Sequence, residues 1–136
     1  MNALSRIHAT LRPRGLLLNL LPDTTHRAVE VDVGSAILRL GHLDATLGDI
    51  QGFHVTLAAQ QAAIDARLFV LERETRFMFV DRFDTVESWL TYVAEHEQGV
   101  IIQASLLARA RELLPPGTAG EVRISSQLYA ARLWRP

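Results

Sequence analysis

Residues 11–22 read Leu-Arg-Pro-Arg-Gly-Leu-Leu-Leu-Asn-Leu-Leu-Pro. A proline and a glycine punctuate the start, and an apolar run of strand length, Leu16–Leu21, follows. The run does not alternate. Both of its faces should therefore be covered, as in an interior strand of an α/β sheet. Pro22-Asp23 closes it. On the amino-terminal side, Leu4, Ile7 and Leu11 recur at helical spacing over residues 2–11, and Pro13 and Gly15 stop that helix.

On the carboxyl-terminal side, Val29, Val31 and Val33 alternate with Glu30 and Asp32, which predicts a half-exposed strand with its valines inward. Gly34-Ser35 is a two-residue turn signal, and Ala36–Leu40 returns as the second arm of a hairpin. Ile50, Phe53, Leu57, Ile64, Leu68 and Leu71 form one apolar stripe, which predicts a long helix over 46–71. Gly48 and Gly52 weaken its first turns. Residues 74–83 read as a strand buried on both faces in its middle, with Phe77, Phe79 and Phe83 opposite Met78 and Val80. Asp84, with Glu87 three residues on, reads as the cap of a helix whose Val86, Trp89, Leu90 and Val93 face inward. A further helix spans 103–114 and ends at Pro115-Pro116-Gly117. Residues 121–134 close the chain as a long strand with a bend at Ser125-Ser126.

The totals narrow the function classes. A chain of 136 residues fits one domain, residues 1–136, able to bury roughly two-thirds of its unfolded surface. With 49% hydrophobic and 21% charged residues it is globular in composition. A net charge of −1 gives no global attraction to nucleic acid or to an acidic membrane. There are no cysteines, which excludes thiol catalysis and cysteine-bound zinc. All 14 cationic side chains are arginine, so a Schiff-base lysine and a phosphate-loop lysine are excluded too. No stretch spans a bilayer, the start lacks a signal peptide, and the expected location is cytoplasmic.

The order helix, Leu11-Arg12-Pro13-Arg14-Gly15, apolar strand resembles one segment of class I S-adenosylmethionine-dependent methyltransferases. There a helix leads through Leu-Lys/Arg-Pro-Gly-Gly into the fifth strand; here Arg14 replaces the first glycine and Gly15 keeps the second. Phe83-Asp84-Thr85-Val86-Glu87-Ser88-Trp89-Leu90 and the closing Glu121-Val122-Arg123-Ile124 fit the later elements, ending in a strand antiparallel to its neighbours. The resemblance implies the carboxyl-terminal half of that fold. It also implies a missing cofactor site, since the glycines stand at 15, 34, 41, 48, 52, 99, 117 and 120 and no Gly-x-Gly occurs.

Candidate site residues are few. His8, His26, His42, His54 and His96 share no metal-ligand spacing, so no metal is expected. His54 falls on the apolar side of the long helix, as a backbone-bonded core-edge histidine or a pocket acid or base. Asp81 interrupts an apolar strand and needs a partner: an arginine, or a ligand in an aromatic-lined pocket with Trp89 and Tyr92. Asp23 follows the first strand, as a turn residue or as a ligand contact at the sheet edge. Arg109 and Arg111 lack interleaved aromatics and read as a solvated helix face, not a nucleic-acid surface.

The expected fold is α/β with α+β character: a small mixed sheet with an antiparallel last strand, a hairpin and packed helices. No catalytic or cofactor motif is complete. The expectation is a methyltransferase-like half-domain that is non-catalytic on its own, binds no cofactor, and acts by self-association or by binding a partner or small ligand. One alternative is half of a split methyltransferase completed by a separate cofactor-binding chain; another is a truncated remnant without a role. The far edge of Leu16–Leu21 lacks the strand that a full methyltransferase would pair with it. A homodimer is expected to cover that edge, with the hairpin over 28–41 as the competing cover.

Overall fold

A computed structural model of the chain describes residues 3–97 and 99–136, without the side chains of Thr24 and His26. Asn2, in the expected first helix, and the His26 side chain lie outside the described residues. The elements run α1 Ala3–Thr10, β1 Leu16–Asp32, β2 Ile37–Leu43, α2 Leu47–Asp65, β3 Val70–Phe83, α3 Val86–His96, α4 Ala104–Leu113 and β4 Glu121–Trp134. The strands form one sheet in the order β2-β1-β4-β3. The content is α/β with α+β character, and the hairpin and the antiparallel last strand stand as expected. The mixed sheet does not: every strand pair is antiparallel.

The quoted stretch makes the first corner. The Gly15 amide donates to the Arg12 carbonyl at 2.8 Å. A Cβ at Gly15 would lie 2.9 Å from Leu11 Cδ2 and 2.8 Å from that carbonyl, so this corner has no room for a side chain. Arg135, beside the end of β4, donates its backbone amide to Gly15 at 3.0 Å. Its guanidinium donates to the His8 and Leu11 carbonyls, capping the orphan end of α1. At the hairpin, Gly34 takes φ 81° while the Val33 amide donates to Ala36 at 3.1 Å. A positive φ at the first central position is the type II′ geometry, open to glycine and matched to strand twist.

The sheet is covered on opposite faces at its two ends. On β4, Val122 and Ile124 pack with Val29, Val31, Val86, Trp89 and Leu106, under α3 and α4. Tyr129, Ala131 and Leu133 pack instead with Phe53, Ala63 and Phe69, under α2. Side chains alternate across a strand, so even and odd residues of β4 look to opposite faces. The β3–β4 register is unbroken from Val122 to Arg132, so the faces do not exchange along β4. They exchange in β1 instead. Residues 24–27 stand opposite Ser126 alone, and the odd residues Leu17 and Leu21 face α2 while Val29 and Val31 face α3 and α4.

Several expectations give way to this arrangement. Pro22-Asp23 does not close a strand, because β1 continues to Asp32. The run Leu16–Leu21 is covered on one face only: Leu16, Leu18 and Leu20 are 49%, 69% and 59% exposed. Residues 74–83 are not buried in the middle. They belong to β3, an edge strand that begins at Val70 and is exposed through most of its length. The long helix ends at Asp65, so Leu71 belongs to β3. The cap of α3 is Thr85, whose hydroxyl accepts from the Ser88 amide at 3.0 Å, in place of Asp84 and Glu87. The hairpin pairs β1 only from Arg27 onward, so among the described residues the outer edge of Leu16–Asp23 has no strand partner. Among the described residues no helix is long and apolar enough to cross a membrane.

Candidate functional site: a cleft at the head of an open apolar face

β4 continues past Ile124 on the face of α3 and α4 with Ser126, Leu128, Ala130, Arg132 and Trp134. Across from these lie Pro22, Leu20, Leu18 and Leu16 of β1, and Phe79, Phe77, Thr75 and Arg73 of β3. Among the described residues no helix covers this half of the face. Phe77 and Phe79 are each 46% exposed. The opposite face at the other end of the sheet is also open, but Arg123 and Asp32 pair there at 3.5 Å and Arg82 and Glu121 at 3.3 Å. One open half-face is charged and suited to water; the other is largely apolar, with Arg73 and Arg132 toward its far end, and exposed apolar surface of this kind marks an interaction site.

Where the helical layer stops, the step down to the open face forms a cleft of about 350 Å³, with Phe79, Asp81, Tyr92, His96, Glu97 and Arg27 in its lining. The Tyr92 and His96 rings stack at 4.7 Å, and Phe83 lies against Tyr92 at 5.2 Å. Arg27 is buried and ion-paired with Glu97, and its Nε is buried without a hydrogen-bond partner among the described residues. Asp81 makes no hydrogen bond or ion pair among the described residues. Burial pushes its carboxyl above the ordinary range; the Glu97 carboxylate adds to this and Arg27 opposes it. The cleft thus offers an unpaired acid between aromatic walls, a receptor for a cationic hydrogen-bond donor. Ser126 and His96 both line it, but they do not hydrogen-bond each other, so no nucleophile and base stand paired there.

No family model, curated protein or solved structure matches the chain.

Of the residues singled out from sequence, Asp81 and Tyr92 meet in the cleft. Trp89 does not: it is fully buried in the core between α3 and the sheet. His54 is exposed on α2, its ring edge-on to Phe53 at 5.9 Å, not on the apolar side. Asp23 is not at a strand end. It lies within β1 and accepts from the Thr25 amide at 3.2 Å and from the Thr25 hydroxyl, the local turn role. Sequence reading missed Arg27, Glu97 and His96. Arg27 directly precedes the buried valine strand, which is the one signal that could have drawn notice; nothing local marks Glu97. Among the described residues no three His, Asp or Glu side chains are grouped to hold a metal ion.

A second cavity of about 590 Å³ lies between α2 and β3. At its wall Asn19 Nδ2 donates to Gln60 Oε1 at 2.7 Å, Gln60 Nε2 donates to the Tyr129 hydroxyl at 2.8 Å, and that hydroxyl donates to Glu74 at 2.9 Å. Burial raises the Tyr129 pKa from its ordinary value. The relay ties α2, β1, β4 and β3 together and satisfies the buried Gln60, so its role is structural.

Proposed function

We propose that the chain is a non-catalytic assembly module, resembling a methyltransferase carboxyl-terminal half, that works by self-association as a homodimer through the open apolar half-face. The observation that carries this reading is the exposure of Leu16, Leu18, Leu20, Phe77 and Phe79 on one side of the sheet. A run that does not alternate needs apolar cover on both faces, and the single chain supplies one. The methyltransferase likeness is supported by the closing strand, which lies between β1 and β3 and runs antiparallel to both. Light scattering after size exclusion at low micromolar concentration tests the dimer. The expected mass is twice that of one 15.2 kDa chain, and a mass of one chain overturns the reading.

One observation favours the split-enzyme reading: among the described residues the outer edge of Leu16–Asp23 has no strand partner. A separately encoded cofactor-binding half could pair with it. Under that reading the isolated chain is monomeric and gains mass only when such a half is added.

A further inference from the structure

We propose that two copies join edge to edge along β3, antiparallel about a two-fold axis at Phe77, so that their two four-stranded sheets become one. This rests on the homodimer reading and specifies how the open half-faces meet: side by side in one sheet. β3 is an edge strand over Val70–Phe83, and its outer side has no strand partner among the described residues. Such an edge is a template for another strand unless proline, like charge or a covering segment blunts it, and β3 contains no proline.

A proline on another strand fixes which backbone groups this edge offers. Pro22 stands opposite Leu128 within the β1–β4 ladder and has no amide hydrogen, so its backbone groups turn away from β4. Odd-numbered Gly15 does accept from the Arg135 amide, the complementary parity. Backbone groups alternate along an antiparallel strand, so Leu128 turns its own toward Phe77, which is its partner on β3. Arg76 and Met78 on either side of Phe77 therefore turn theirs outward, and so do Glu74 and Val80. An axis at Phe77 sets Arg76 against the partner's Met78 and Glu74 against the partner's Val80. Each of these pairs exchanges two hydrogen bonds.

The charges select this register. The axis at Phe77 places Arg73 directly opposite the partner's Asp81, twice in one interface, in the closer kind of pair that is not hydrogen-bonded through the backbone. Among the described residues neither Arg73 nor Asp81 makes an ion pair or hydrogen bond. Both lie on the α3 and α4 side of the sheet, opposite Arg132 and Ile124 of β4. The partner's Arg73 reaches Asp81 from beside the sheet, across the open edge, so nothing has to enter the layer that α3 and α4 occupy. An axis moved to Arg76 would set that arginine against its own copy. An axis moved to Met78 parts Arg73 from Asp81, and Glu74 then meets an Arg82 already paired with Glu121 at 3.3 Å. The two-fold keeps the faces and exchanges the ends. Phe77 thus meets its copy on the open side, and α3 of each subunit stands beside the open half-face of the other. On the opposite side Met78, 58% exposed, lies against the aliphatic stem of the partner's Arg76.

Two measurements on the full chain test this. The first is amide hydrogen exchange read residue by residue. In the dimer the outward amides of Arg76 and Met78 should exchange at least tenfold more slowly than in a sample diluted to monomer. The second is a charge swap read by sedimentation equilibrium. Arg73→Asp and Asp81→Arg each set like charges opposite one another twice, and each should raise the dimer dissociation constant at least tenfold. Arg73→Asp/Asp81→Arg restores opposite charges and should return it to within about threefold of the wild type. Arg73→Gln and Asp81→Asn guard against misfolding, since neither introduces repulsion; each should weaken the dimer about threefold with unchanged circular dichroism. A wild-type dimer whose Arg76 and Met78 amides exchange as fast as in the monomer, or that the double variant does not rescue, overturns this inference and leaves self-association standing. A monomeric wild type overturns both.

Discussion

Trp89 joins α3 to the sheet. It is fully buried, and its indole Nε1 has no hydrogen-bond partner among the described residues. Trp89→Ala removes the largest fully buried side chain and should cost about 3–5 kcal/mol in chemical denaturation. Trp89→Phe should cost clearly less, because it leaves a smaller void and removes the unpaired donor. A loss below about 1 kcal/mol for Trp89→Ala would show that the α3 face is not where the stability resides. The burial of Trp89 was legible from its spacing with Val86, Leu90 and Val93. The cap before it was not. Asp84 and Thr85 are both cap formers, each with a competent residue three positions on. The choice fell to Thr85 because its backbone is extended and its hydroxyl reaches the Ser88 amide. Asp81 was legible as a polar residue out of place, whereas its cleft was not, since Arg27 comes from β1 and Tyr92 and Glu97 from α3 and its C-cap, all outside β3.

The long helix shows why an element can be read correctly and its end misplaced. The stripe through Ile50, Phe53, Leu57 and Ile64 is real, with Phe53 buried and Leu57 and Ile64 packed beside it. The Thr46 hydroxyl accepts from the Asp49 amide at 3.1 Å, and that pair forms the capping box that starts α2. The far end carries no glycine or proline. Instead Arg67 takes φ 57°, the Leu68 amide donates to the Ala63 carbonyl at 3.0 Å and the Arg67 amide to Ile64 at 2.9 Å. These bonds make a Schellman stop with arginine in the left-handed position usually held by glycine. Leu68 and Leu71 then continue the apolar pattern from beyond the helix, which hid the break. Arg67→Gly should relieve the left-handed strain and raise stability by on the order of 1 kcal/mol. Urea unfolding reads this directly, and a fall in stability would mean that the arginine side chain contributes more than its backbone costs.

Across the whole molecule, the hidden feature is the exchange of faces. Leu17, Leu21, Val29 and Val31 are all odd-numbered and all inward, yet they lie in different cores. The register shift between Asp23 and Ala28 sends its two halves to opposite faces. Ser125 and Ser126, where a bend was expected, stand opposite that shift, but β4 runs through them as one strand and the irregularity lies in β1. As a result the molecule has two cores without a shared residue, one under α3 and α4, the other under α1 and α2, linked through β1 and β4. Proteins open locally in units set by shared packing, and each core here can loosen while the other holds. Because β4 contributes to both cores and is paired on both edges, its amides should exchange with deuterium most slowly. Those of α1, which has no buried residue, should exchange fastest. Trp89→Ala sharpens the test, because it damages one core only. Exchange should accelerate strongly in α3, α4 and Val122–Ile124, and little in α2 and Tyr129–Leu133. Equal acceleration at both ends would mean that the twisted sheet transmits the loss along its length and that the molecule opens as one unit.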